Sequence, residues 1–217
     1  LGIGAVHFVV LDNVRYPCNG VDPHGFCAAG GYTTYNGVIH ERQLAWLRND
    51  LAVVPDDRLI VVVSHIPLQS FTDSTRAKHQ TDNFDRLVDI LGDRPVLALS
   101  GHTHTIETLL PGESYEGWET HTGVARAPFH QIVTGAVSGS WWSGNLDAAG
   151  VPKSFQRDGS PKGYFEIAFS GPDWRETYRP FGAHPDDRMH AGFNTPRFRA
   201  WARNVYAFAR IYDRPSD

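Results

Sequence analysis

The chain has 217 residues, of which 41% are apolar, with 24 acidic and 20 basic side chains giving a formal charge of −4. That length suits one large domain or two small ones, and the apolar content excludes a disordered chain. The slight acidity argues against a binder of nucleic acid or anionic membrane, and no apolar run approaches the ~20 residues a membrane helix needs.

The chain opens on Leu1-Gly-Ile-Gly, with neither an initiating Met nor a signal sequence, and reads as a fragment of a longer protein. Val6–Val14 is a near-continuous apolar run and predicts a buried strand. Residues 15–38 hold seven Gly and Pro and four Tyr or Phe, a long loop of the kind that is usually functional. It contains both cysteines, Cys18 and Cys27, which form either a local disulfide or two free thiols.

His40–Leu51 sets Leu44, Leu47 and Leu51 on one stripe and predicts an amphipathic helix that starts at His40. Leu59–Val63 is a second buried strand, Asn83–Leu91 a second helix, and Pro95–Leu99 a third buried strand. Strand alternating with helix is an α/β layered arrangement. Beyond residue 103 the pattern changes to short strands, Ile106–Leu110, Phe129–Thr134, Tyr164–Phe169 and Trp174–Tyr178. The turn-rich stretch 138–162 is the expected boundary, dividing the chain into 1–138 and 139–217. Residues 1–150 carry 16 acids and 9 bases, whereas 151–217 carry 8 and 11, which also points to two units.

Three of the eleven histidines are placed by the pattern. His65 follows one buried strand, and His102 and His104 follow another within Ser100-Gly101-His102-Thr103-His104. Ligands gather outside the carboxyl ends of strands in open α/β sheets, so these imidazoles should converge. On extended chain, residues i and i+2 point to the same side, and Gly101 would supply the sharp turn. His102 and His104 could then serve one metal, or one each of two metals about 3.5–4 Å apart. Neutral imidazole suits Zn, Fe, Mn and related ions.

At these residues the sequence resembles the calcineurin-like metallophosphoesterases. The motifs are Val63-Ser64-His65-Ile66-Pro67 and Ser100-Gly101-His102-Thr103-His104, preceded by the Val6–Asn13 strand and the Tyr35–Leu47 segment. Gly135–Gly144 and Asp158–Tyr164 resemble the subgroup with an extra C-terminal β domain, and 202–208 resembles an inner strand of it. The resemblance implies part of a two-sheet α/β (α+β) sandwich followed by a β-rich, incomplete C-terminal domain. It implies hydrolysis of phosphoesters by a dinuclear centre of two transition-metal ions (Mn, Fe or Zn), with His65 and His102 on one ion and His104 on the other. Its substrate would be a small phosphoester or a phospholipid, with no nucleic-acid partner. Relatives in this subgroup are often exported, to the periplasm or outside the cell.

The family's earlier motifs, Asp-x-His, Gly-Asp and Gly-Asn-His-Asp/Glu, do not occur in residues 1–64. They supply the bridging carboxylate, the remaining ligands and the general-acid His. The chain is therefore expected to begin after them and to be inactive alone. It would leave apolar sheet surface uncovered unless a missing N-terminal segment or a partner chain completes it. The alternative expectation is a non-catalytic binding or accessory module, or an inactive truncated fragment.

Four further residues could line a substrate cleft: Arg76 in the loop after His65, His130 on an alternating strand, and Trp141 with Trp142. His7 reads as a packed core or edge residue of its strand, and His40, at a helix start, as a cap or a solvent residue. His24, His79, His121, His184 and His190 read as surface residues, and Asp12-Asn13 as the end of a strand.

Overall fold

The computed structural model describes residues 1–15, 35–137, 160 and 163–180. Cys18, Cys27, Trp141, Trp142, nearly all of the 138–162 boundary stretch and the 202–208 segment lie outside the described residues.

The fold is mixed α/β. In chain order the elements are β1 (Gly2–Ile3), β2 (Val6–Val10), β3 (Val14–Arg15), β4 (Asn36–Gly37), α1 (Glu41–Leu51), β5 (Leu59–Val63), α2 (Phe84–Leu91), β6 (Val96–Ser100), β7 (Ile106–Leu109), α3 (Trp118–Thr122), β8 (His130–Thr134), β9 (Gly163–Ser170) and β10 (Asp173–Pro180). A six-stranded sheet has the order β1-β2-β5-β6-β8-β7. Its centre is parallel, with β2 on β5, β5 on β6 and β6 on β8, and β1 pairs antiparallel with β2.

Parallel strands are covered on both faces, which is why Leu59–Val63 reads as an unbroken apolar run. One face, with Val9, Ile60, Val62, Val96 and Ala98, packs against Leu44, Leu47 and Leu51 of α1 and Phe84, Leu87 and Leu91 of α2. Each such buried side chain contributes about 1.5–3 kcal/mol over exposure. The expectation of an uncovered sheet surface holds only in part. Val61, Leu97 and Ile132 on the other face are fully buried, whereas Val10, at the end of β2, is 71% exposed.

His40 caps α1: its ring nitrogen accepts the Arg42 N–H at 3.2 Å. His7 is buried in β2 and meets Asp50 of α1, Nε2 to Oδ2 2.6 Å. Both agree with the sequence reading. The first strand is shorter than expected. β2 ends at Val10, the Leu11 N–H still donates to the Val63 carbonyl at 2.8 Å, and beyond Asp12-Asn13 the pair Val14-Arg15 joins Asn36-Gly37 instead. The short α3 was not foreseen.

Contacts divide the chain into two compact units. The described residues of the first are 1–15, 35–102, 107–133 and 171–173; those of the second are 103–106, 134–137, 160, 163–170 and 174–180. In the second, β9 and β10 form a two-stranded sheet with alternating burial. Across it Arg179 pairs with Glu166 at 3.0 Å, and the rings of Phe165 and Tyr178 lie 5.2 Å apart.

Candidate functional site

β5 and β6 are adjacent and parallel, with Val63 opposite Leu99. That register continues to His65 opposite Gly101, so His102 lies one residue beyond, at the same carboxyl edge, and the turn at His102 (φ 69°) completes the approach. His102 Nδ1 lies 3.1 Å from His65 Nε2, with ring centroids 4.9 Å apart. The Gly101 N–H donates to the His65 carbonyl at 3.1 Å, tying the two loops together through the backbone as well.

The turn after β6 is not the extended segment that i, i+2 reasoning requires. Residues 102–105 form a bend, and the left-handed backbone falls on His102 (φ 69°) and His104 (φ 54°), not on Gly101. Such conformations are costly for residues other than Gly and cluster at functional sites. His104 lies in the second unit, between Thr103 and Thr105, whose hydroxyls are 2.6 Å apart.

The loop after β5 is built by buried polar side chains. Glu107 accepts from the Ser70 hydroxyl and from the Phe71 and Thr72 N–H groups. Gln80 accepts from the Ser70 N–H and donates to the Asp73 and Ser74 carbonyls. Trp118 Nε1–H donates to the Ser70 carbonyl at 2.9 Å, the principal role of α3 here.

This loop brings His79 to the site, correcting the surface assignment. Its ring centroid is 5.4 Å from that of His102, and Nδ1 is 2.8 Å from Asp73 Oδ2. The Asp73 side chain is 1% exposed and that of His79 13%. Tyr35 packs edge-on to His102 at 5.2 Å. Burial, and secondarily the Asp73 charge, push its phenol above the usual value near 10. Asp73, His79 and Tyr35 escaped sequence reasoning because long loops bring them in, not a strand end; Tyr35's place in the Gly-rich loop was the one available signal.

Arg76 is half exposed, with Nε 3.6 Å from Asp73 Oδ1, on the same loop as His79. His130 pairs with Leu97, whereas Ser100 pairs with Val133. His130 therefore lies three residues back along the sheet from the carboxyl edge that carries His102. Trp141 and Trp142 fall outside the described residues.

A metal bound by two imidazoles at about 2.0–2.1 Å holds the two nitrogens about 3 Å apart, which the His65–His102 spacing matches. The same spacing also suits an N–H···N hydrogen bond between neutral rings. The donor set is incomplete, since among the described residues no group of three or more His, Cys, Asp or Glu side chains is arranged to hold a metal ion.

In a comparison with protein families, residues 131–216 match the family described as the C terminal of calcineurin-like phosphoesterase. The match starts within β8 and makes that region similar to the C-terminal part of the calcineurin-like phosphoesterases, a family whose members are in general phosphoesterase hydrolases that use divalent metals. A search of curated proteins finds no match.

Proposed function

We propose that the protein functions in metal-dependent hydrolysis of phosphoester bonds at a dinuclear centre of the calcineurin-like kind. This chain would contribute His65 and His102 to one ion and His104 to the other. The observation that carries the reading is the His65–His102 contact at the carboxyl ends of two adjacent parallel strands. The family match over residues 131–216 supports it independently.

When bound, the ions would supply an activated water and neutralise charge on the phosphoryl oxygens. The chain's own part is positional. The β5–β6 register sets the two rings at one edge, Tyr35 and His79 pack against His102, and Asp73 holds His79. Arg76, on the same loop, is an exposed cation suited to a substrate phosphate. Small phosphoesters and phospholipids are the substrate classes we propose. The remaining ligands and the general acid have to come from outside the described residues, from another segment or a partner chain.

The test is hydrolysis of p-nitrophenyl phosphate and bis-p-nitrophenyl phosphate with added Mn2+, Zn2+ or Fe2+. Metal-dependent turnover that is lost in both His65→Ala and His102→Ala supports the reading, and turnover unchanged in either variant contradicts it. A second reading, a non-catalytic binding module, is favoured by the incomplete donor set. A folded chain that takes up no metal at the His65–His102 pair would select it.

A further inference from the structure

His65 lies in a loop, and a loop alone does not hold a ring within 3.1 Å of another. The hydrogen bonds around it converge on one side chain. Asn13 is fully buried, three residues past the end of β2. Its Oδ1 accepts the N–H of His65 at 3.2 Å and of Ile66 at 3.0 Å. Its Nδ2 donates to the Ile66 carbonyl at 2.7 Å and to Thr81 Oγ1 at 2.9 Å. All four hydrogen-bonding positions of the amide are used. The amide's orientation is fixed too, because the flipped form would set its NH2 against two N–H groups and its oxygen against a carbonyl.

The surrounding bonds extend the clamp. The Thr81 hydroxyl donates to the Pro67 carbonyl at 3.0 Å, and the Ser64 hydroxyl donates to the Ile66 carbonyl at 3.0 Å. One amide therefore ties the carboxyl end of β2, the His65 loop and the 80–83 segment together. Past the Leu11 N–H bond to the Val63 carbonyl, Asp12-Asn13 leave the ladder and the Asn13 side chain turns into the loop.

We infer that Asn13 is the positioning residue of the site: it fixes the His65 backbone and thereby the approach of the His65 ring to His102. The inference rests on the reading of His65 as a site residue. A loop terminator of strand β2 would need none of these long-range bonds. Both N–H groups it captures belong to the segment that carries the imidazole.

The test compares Asn13→Ala with Thr81→Val in the full chain, without added metal. Thr81→Val removes the Asn13–Thr81 and Thr81–Pro67 bonds but leaves both N–H groups on Asn13 Oδ1. The readouts are the melting temperature and the two-bond 1H–15N imidazole spectrum, which reports the tautomers of His65 and His102. Both variants should lower the melting temperature by several degrees. Only Asn13→Ala should replace the paired His65–His102 tautomer pattern with that of two solvated rings.

Retention of the paired pattern in Asn13→Ala, or its equal loss in Thr81→Val, would overturn the inference. Should Asn13→Ala fail to fold, Asn13→Asp carries the test. It keeps an acceptor facing the two N–H groups and loses the amide donors, so the pattern should survive a lower melting temperature; its disappearance would overturn the inference. These spectra judge Asn13 whether or not His65 binds metal, and a Zn2+ titration of the unaltered chain judges that separately.

Discussion

His65 Nε2 and His102 Nδ1 approach to 3.1 Å although 37 residues separate them in the chain. Strand register brings both to one edge, because β5 and β6 are parallel neighbours with Val63 opposite Leu99, and the left-handed turn at His102 closes the remaining one-residue offset. If this pair ligates metal, replacing either ring with Ala removes a donor that the loops have already positioned. Metal-dependent phosphoester hydrolysis by the protein should then fall by orders of magnitude in each variant, measured as kcat/KM on an aryl phosphate.

Tyr35 makes stability fall on the alkaline side. Its phenol is raised above the usual value near 10, first by burial and then by Asp73. A raised folded value means the native state keeps the proton after the unfolded chain has lost it. Stability therefore declines as pH rises through about 10 and beyond. Tyr35→Phe should flatten the alkaline limb of a urea-unfolding series, and an unchanged slope above pH 10 would refute the assignment.

Gly37 pairs with Val14 across β3 and β4 and bridges to Thr81. A Cβ there would press into the Gln80 carbonyl oxygen and stand 2.9 Å from Thr81 Cα. These are backbone atoms with no rotamer to yield. Gly37→Ala should cost about 1–3 kcal/mol by urea denaturation, as overpacking does in well-filled sites.

His7 and Asp50 join β2 to α1 at 2.6 Å, with side chains 10% and 24% exposed. A partly desolvated contact of this kind is expected to stabilise the fold by about 1–3 kcal/mol. Asp50→Asn, His7→Gln and the double variant form a thermodynamic cycle. A coupling energy near zero would show the contact to be incidental.

Much of the sheet was legible in the sequence. β5 starts and ends where its apolar run does, because strands buried on both faces leave no polar interruption, and α1 follows from the Leu44, Leu47 and Leu51 stripe. Asp12-Asn13 read as the end of the first predicted strand, but the work Asn13 does there was not legible: it bonds residues 53 and 68 positions away. Helix α3 has five residues between Gly117 and Gly123, too short for a periodic signal. In the site, strand ends marked His65 and His102. The turn at His102 and His104 and the arrival of His79 depend on backbone strain and loop packing that spacing does not encode.

The most direct measurement is transition-metal uptake by isothermal titration with Zn2+ and Mn2+, on the unaltered chain and on His65→Ala and His102→Ala. The predicted result is uptake by the unaltered chain that both substitutions abolish while the fold, followed by far-UV circular dichroism, is retained. Uptake that persists in either variant, or none by the folded unaltered chain, would contradict the assignment of this edge of the sheet as a metal centre.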